Sequence, residues 1–87
     1  MKHAGKQALD EIADLLAKLR TVDGLNEKKL GVFYLKSSAF LHFHEDPAGL
    51  FADLRTNTHW ERLPISTAAQ RKSLLARVRA ALHSRQT

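Results

Sequence analysis

The sequence contains no cysteine, so neither a disulfide framework nor a thiolate metal site can form. Its four glycines are scattered, and a glycine-rich phosphate-binding loop is therefore absent. No apolar run approaches the roughly 20 residues of a membrane-spanning helix. The first residues include no uninterrupted apolar stretch, and acidic residues begin at Asp10, which argues against a secretory signal. We therefore expect a cytoplasmic protein that makes no membrane contact and carries no cofactor.

Length and composition predict one globular domain over residues 1–87. A chain of 87 residues supports a single core, and its hydrophobic and charged fractions of 44% and 26% are those of an average globular protein. The net charge is +5, and from Ser66 onward the chain has five basic residues and no acidic residue. A basic segment of this kind suggests nucleic acid as one class of partner.

Two amphipathic helices are predicted, one near each end of the chain. The first spans residues 6–22 and ends before Gly24, which is free to adopt a left-handed conformation. The second spans residues 67–84 and begins with Thr67 and Gln70 at the spacing of a capping box. Apolar side chains recur at the helical period in both: Leu9, Ile12, Leu15, Leu16 and Leu19 in the first, and Leu74, Leu75, Val78, Ala81 and Leu82 in the second.

Between the helices the hydrophobic period changes to two, which is typical of β-strands. Residues 25–31 are polar and are predicted to form a loop. Pro64 cannot donate to a ladder, so the last strand should lie at a sheet edge. The connections are too short for parallel crossovers. The prediction is an α+β two-layer sandwich, helix–four-stranded antiparallel meander–helix, with both helices on one sheet face. The predicted strands are residues 32–36, 40–45, 50–55 and 60–65.

The turn between the second and third strands fixes the predicted register. With a two-residue loop at 47–48, Asp46 pairs with Gly49 and His42 pairs with Asp53. A turn one residue longer would place the Asp53 carboxylate among apolar side chains without a partner. That burial costs roughly 1–3 kcal/mol at the least. The shorter turn is therefore favoured.

Side-chain alternation then sorts the strands into two faces. The preceding hairpin is predicted to turn over residues 37–39. The face beneath the helices collects apolar side chains: Phe33, Leu35, Leu41, Phe43, Leu50, Ala52, Leu54, Leu63 and Ile65. The opposite face collects Val32 and the predicted binding residues: Tyr34, Lys36, Phe40, His42, His44, Phe51, Asp53, Arg55, Trp60 and Arg62.

This opposite face is unusually aromatic for a surface that meets only water. Trp60 is a natural anchor, because tryptophan dominates binding energies at interfaces. We therefore predict a non-catalytic binding domain that self-associates through this face as a homodimer, or that binds another protein. The same rings beside Lys36, Arg55 and Arg62 leave single-stranded nucleic-acid binding as an alternative. The simplest alternative is that each aromatic side chain only stacks on a cross-strand neighbour.

His42 and His44 are also candidate metal ligands, because two imidazoles at this spacing share one face of a strand. Asp53, across from His42, is the candidate third ligand. The competing interpretation is an ion pair between His42 and Asp53, which predicts a raised pKa for His42. The place of His59 is left open. No nucleophile, base and orienting group converge in the sequence, so no enzymatic activity is predicted.

Overall fold

The computed structural model describes residues 2–57 and 59–86, the last two of them by their backbone only. As predicted, the fold is α+β, with helices packed against an antiparallel sheet. In chain order the described elements are β1 (Lys2–His3), α1 (Lys6–Glu11), α2 (Ala13–Arg20), β2 (Leu25–Lys29), β3 (Val32–Leu35), β4 (Ser38–Asp46), β5 (Gly49–Arg55), β6 (Trp60–Pro64) and α3 (Ala68–Gln86).

The sheet runs in the order β2-β3-β4-β5-β6, which places Pro64 on an edge strand as predicted. The long strand β4 pairs with β3 only as far as His42, which lies opposite Val32. The end of β4 is therefore open on that side, and β1 pairs there, with Lys2 opposite Glu45 and His3 opposite His44. The N-terminal residues thus become part of the sheet.

The predicted register between β4 and β5 is confirmed. Asp46 pairs with Gly49, and His42 pairs with Asp53. The Ala48 N–H donates a hydrogen bond of 2.7 Å to Asp46 Oδ1, which closes the turn. Because one face of these strands is buried, a slip of one residue would expose every core side chain.

The core lies between the helices and one face of the sheet, and it contains the predicted apolar side chains of that face together with Phe40, which was predicted on the other face. The predicted capping box is also present, since the Gln70 N–H donates to Thr67 Oγ1 and the Thr67 N–H to Gln70 Oε1, both at 3.1 Å. From the sheet, Phe33, Leu41, Phe43, Ala52, Leu54 and Ile65 are buried, and Leu35, Leu50 and Leu63 are partly buried. From the helices, Leu9, Ile12, Leu15, Leu16, Leu19, Leu74, Leu75, Val78 and Leu82 are buried.

Three secondary-structure predictions need correction. The first helix is interrupted at Ile12, whose φ of −106° and ψ of 24° divide it into α1 and α2. The segment 25–31, predicted to be a loop, contains the edge strand β2. The strand is hard to recognise because its composition is polar and shows no apolar period. Glu27 can lie on the helix-facing side of this strand because it accepts two hydrogen bonds from Arg20 of α2, at 2.6 and 3.0 Å. The strand β1 was also missed, because two residues are too few to show a period.

The hairpin between β3 and β4 turns over residues 36–37 and not over 37–39. Lys36 has a left-handed φ of 58°, an uncommon conformation for a side-chain-bearing residue, and it lies in this turn. It is therefore not on the sheet face to which the alternation assigned it.

Phe40 is likewise not on the predicted binding face. The ladder between β3 and β4 pairs Phe33 with Leu41 but Tyr34 with Ala39, so Phe40 is an extra residue on β4. Such a bulge breaks the side-chain alternation. Phe40 and Leu41 are consequently both buried in the core, and Phe40 is only 1% exposed.

Candidate metal centre

Three histidines come together on the sheet face that points away from the helices. His42 and His44 are two residues apart on β4, so their side chains project from the same face. His3 lies directly opposite His44 in the ladder between β1 and β4, and opposite residues share a face. We call this group, His3, His42 and His44, the histidine cluster.

The rings of the histidine cluster are in mutual contact. The ring centroid of His44 lies 4.8 Å from that of His3 and 4.8 Å from that of His42. One potential ligand atom from each of the three side chains lies within 4.8 Å of the other two. Bonds of about 2.1 Å to a tetrahedral ion would place these nitrogens about 3.4 Å apart. The bound of 4.8 Å is wider than this spacing, so side-chain rotation would have to bring the nitrogens closer together around an ion.

Asp53 is held beside the cluster by Arg62. The Arg62 Nε–H and Nη2–H donate hydrogen bonds of 2.8 and 2.9 Å to the two Asp53 oxygens. Asp53 is only 7% exposed, and hydrogen bonding from Arg62 lowers the pKa of its carboxyl group. The carboxylate therefore stays ionised inside the sheet face. Asp53 Oδ2 also lies 3.1 Å from His44 Nε2.

This geometry corrects the predicted ligand set. The residues with mutually close ligand atoms are His3, His42 and His44, and Asp53 is not one of them. The expected ion pair between His42 and Asp53 is also not formed, because the carboxylate contacts His44 and Arg62 instead. Asp53 thus contacts the His44 ring and lies outside the group of three. A carboxylate that orients a ligating histidine in this way is a common companion of metal sites.

His44 has one nitrogen in contact and one without a well-formed hydrogen bond. Its Nε2 lies 3.1 Å from Asp53 Oδ2 and 2.9 Å from His42 Nδ1. Its Nδ1 is buried and makes no hydrogen bond of good geometry among the described residues. The backbone of Lys2 is nevertheless close enough to the ring to act on it and to raise the pKa of His44. A proton on Nε2 can be donated to the carboxylate, which leaves Nδ1 with a lone pair. A buried lone pair that accepts no hydrogen bond of good geometry is an uncommon feature and a good ligand for a cation.

The pKa values of His42 and His44 are both lowered, mainly because burial disfavours the charged imidazolium. The charge of His44 lowers the pKa of His42 further, whereas Asp53 acts in the opposite direction on both rings. The prediction of a raised pKa for His42 is therefore wrong. It counted the nearby carboxylate and left out the burial and the neighbouring imidazoles.

Aromatic and basic side chains surround the cluster, as the alternation predicted. The ring centroid of Trp60 lies 4.8 Å from that of His42, and the Arg55 guanidinium lies 5.7 Å from the Trp60 centroid. Tyr34 contacts Lys28, whose Nζ lies 5.5 Å from the ring centroid. We call the following set the mixed face: His3, Val32, Tyr34, His42, His44, Phe51, Asp53, Arg55, Trp60 and Arg62.

His59 does not join the cluster. It lies in the turn before β6, where its carbonyl oxygen accepts hydrogen bonds from the Thr56 N–H at 2.8 Å and from Thr56 Oγ1 at 2.9 Å. The histidine that completes the cluster is His3, which was not among the predicted site residues. No local pattern marks His3. It reaches the cluster because β3 begins opposite His42 and leaves the end of β4 open for β1 to pair with.

Among the described residues, no helix is both long and apolar enough to cross a membrane. Compared with known protein families, curated proteins and solved structures, the chain matches none.

Proposed function

We propose that this chain binds a divalent transition-metal ion through His3, His42 and His44. The observation that carries the proposal is the convergence of three imidazoles whose potential ligand atoms lie within 4.8 Å of one another. Two further features support it. One is the buried Nδ1 of His44, which makes no hydrogen bond of good geometry, and the other is the Asp53 carboxylate that fixes the orientation of the same ring.

The donor set selects the class of ion. Three imidazoles suit Zn²⁺, Cu²⁺ or Ni²⁺, whereas Mg²⁺ and Ca²⁺ prefer oxygen ligands. Three protein ligands leave a fourth position for water or an external ligand. We propose binding and not catalysis, because the site lies on an open sheet face that offers little to exclude water from a reaction.

Calorimetric titration of tag-free protein with ZnCl₂ tests the proposal. We expect about one ion per chain, with an affinity reduced at least about tenfold by His44→Ala or by His3→Ala. His83→Ala is the matched control, since His83 is an exposed histidine of α3. The proposal fails if the wild type binds no Zn²⁺, or if His83→Ala weakens binding as much as His44→Ala does.

We also propose that the mixed face is a contact surface through which the chain self-associates. No described helix packs on this face, and Trp60 remains 39% exposed there. Exposed aromatic side chains near arginines are enriched at protein interfaces. Sedimentation equilibrium up to high micromolar concentration should show a dimer that Trp60→Ala weakens. The matched control is Leu30→Ala, since Leu30 is an exposed side chain outside the mixed face. A monomer at all concentrations overturns this proposal.

Nucleic-acid binding, the other alternative from the sequence, has less support. Arg62 is engaged with Asp53, Arg77 of α3 with Glu61, and Arg71 with the Ile65 carbonyl oxygen. These arginines are therefore less available for phosphate contacts. The cytoplasmic location remains a prediction.

A further inference from the structure

A cleft lies beside the histidine cluster, between β1 and residues 28–31, which form the end of β2 and the turn that follows it. Its volume is about 640 Å³, which lies within the range of small-molecule sites. His3 and Ala4 line one side, and residues 28–31 line the other. The cleft exists because β1 and β3 both pair with β4 but are not continuous with each other.

The cleft has an apolar floor. Leu9 of α1, Val32 of β3 and Phe43 of β4 line it. Leu30 lies at the turn beside them and is 57% exposed, although most leucines in this chain are buried. A large aliphatic side chain left in water next to an apolar floor favours a ligand with an apolar body.

The charged groups that line the cleft are basic. Lys28 and Lys29 are exposed on the turn side, and among the described residues that line this cleft there is no acidic side chain. Glu27 is the neighbouring carboxylate in the chain, and its oxygens accept hydrogen bonds from Arg20 and from the Gly31 N–H. No carboxylate among the lining residues is therefore available to pair with the two lysines, and Lys28 instead lies over the ring of Tyr34, which also lines the cleft.

Two other clefts differ from this one in the charge of their lining. One has a volume of about 510 Å³, and its charged lining residues are Lys2, Glu11, Glu45 and Asp46. The other, of about 820 Å³, carries Lys18, Arg71, Lys72 and Arg79 beside Glu11 and Asp14. Of the three clefts, the one beside His3 has basic lining residues without an acidic one. An anionic ligand would therefore distinguish between them.

We propose that the cleft between β1 and residues 28–31 binds a small monocarboxylate with an apolar body, such as a medium-chain fatty acid. The carboxylate pairs with Lys28 and Lys29, and the hydrocarbon chain covers Leu9, Val32 and Phe43. The proposal is based on the two lysines and on the apolar lining of the cleft. It does not require a metal ion in the histidine cluster.

An NMR titration of the ¹⁵N-labelled full chain with sodium octanoate tests the proposal, with EDTA present to remove metal ions. We expect saturable shifts of the amides of Leu9, Val32 and Phe43 and of residues 28–31. Octylammonium, with the same chain and the opposite charge, should cause no saturable shifts at these amides. Because EDTA is present, the outcome is independent of whether the histidine cluster binds an ion.

The matched variants separate charge from general loss of structure. The double variant Lys28→Ala/Lys29→Ala should weaken octanoate binding on the order of tenfold. Lys72→Ala removes a lysine of α3 outside the cleft and should leave the affinity unchanged. The proposal is overturned if octanoate causes no saturable shifts, if the shifts map to α3, or if octylammonium binds equally well. It is also overturned if the double variant keeps its native spectrum and its full affinity for octanoate.

Discussion

His44, and not the directly opposed His42, contacts the carboxylate of Asp53, with 3.1 Å between His44 Nε2 and Asp53 Oδ2. Arg62 lies opposite Asp53 on the next strand and donates to both of its oxygens. The carboxylate therefore links β6 to β4 within the sheet face, through an ion pair with Arg62 and a contact with the His44 imidazole. This arrangement gives Asp53 two separable roles, one in stability and one in positioning His44.

Asp53→Asn should weaken metal binding although Asp53 is not a proposed ligand. An amide holds the His44 ring less firmly than a carboxylate does, and loss of such a partner reduces metal affinity by about 10–100-fold. The same change should cost roughly 1–3 kcal/mol of unfolding free energy, because a buried charged hydrogen bond is lost. Calorimetry with ZnCl₂ and urea unfolding measure the two effects.

The control for this prediction is Glu61→Gln. Glu61 also lies on β6, but it pairs with Arg77 of α3 on the helix side of the sheet. The change should leave Zn²⁺ affinity unaltered. Equal losses of affinity in Asp53→Asn and Glu61→Gln would mean that Asp53 acts only through stability.

Trp60 should report metal binding by its fluorescence. It is the one tryptophan of the chain, and its ring centroid lies 4.8 Å from that of His42. Cu²⁺ bound at the histidine cluster would therefore quench its emission at short range. We expect saturable quenching in a Cu²⁺ titration of the wild type, and its loss in His42→Ala. Quenching that persists in the variant would place the ion elsewhere.

Phe40→Ala should be among the most destabilising substitutions on the sheet. Because Phe40 is 1% exposed within the core, truncation leaves a cavity and costs about 3–5 kcal/mol. Phe51→Ala, at a half-buried ring of the mixed face, should cost clearly less. Urea denaturation of both variants compares them. Equal costs would contradict the bulge that turns Phe40 towards the helices.

Gly31→Ala should destabilise the protein more than Gly24→Ala. Both glycines have left-handed φ values, 77° and 94°, so both substitutions carry backbone strain of about 1 kcal/mol. At Gly31, however, an added Cβ would lie 2.8 Å from Leu9 Cδ2, whereas at Gly24 the nearest atom is 3.7 Å away. Comparing the thermal unfolding of the two variants separates the loss of stability caused by the contact with Leu9 from the loss caused by backbone strain. A melting temperature that falls equally in both would show that Leu9 moves aside freely.

Glu27 should make stability depend on pH in the acid range. Hydrogen bonding from Arg20 lowers the pKa of Glu27 below its ordinary value of 4.5. Its contribution is therefore present above pH 4.5 and is lost as the pH falls through the lower pKa of the folded state. Wild type should exceed Glu27→Gln by about 1 kcal/mol at neutral pH, and this difference should vanish in acid.

The control for the pH prediction is Glu11→Gln, since Glu11 is exposed on α1. Urea unfolding of the three proteins across the acid range should show a closing difference for Glu27→Gln alone. A difference between wild type and Glu27→Gln that stays constant into strong acid would refute the assignment to the carboxylate.

Much of the fold follows from local patterns that the sequence displays. The turn at residues 47–48 sets the pairing of His42 with Asp53, because any other register buries a charge. The capping box of Thr67 and Gln70 marks where α3 begins. Such features could be predicted because each depends on residues that are near one another in the chain or that share one repeating period.

The errors occur where that period is broken or too short to detect. Phe40 is assigned to the wrong face because the alternation rule assumes no extra residue in the strand. The strand β2 is missed because Glu27, which faces the helices, is polar and is paired with Arg20. The pKa of His42 was predicted to be raised, but it is lowered, because the effect of burial exceeds the opposite effect of the Asp53 carboxylate. Side-chain alternation along a strand does not show how deeply a side chain is buried.

The sequence by itself determined which side of β3, β5 and β6, and of β4 beyond Phe40, meets the helices, because hydrophobic burial imposes its period on the residues in order. Only the tertiary structure decided that His3 joins His42 and His44, and that Asp53 contacts His44 and Arg62. The first contact depends on where β3 begins, and the second depends on which of several neighbouring side chains pairs with the Asp53 carboxylate. A local period encodes neither of these, since both are decided only when distant segments pair in the sheet.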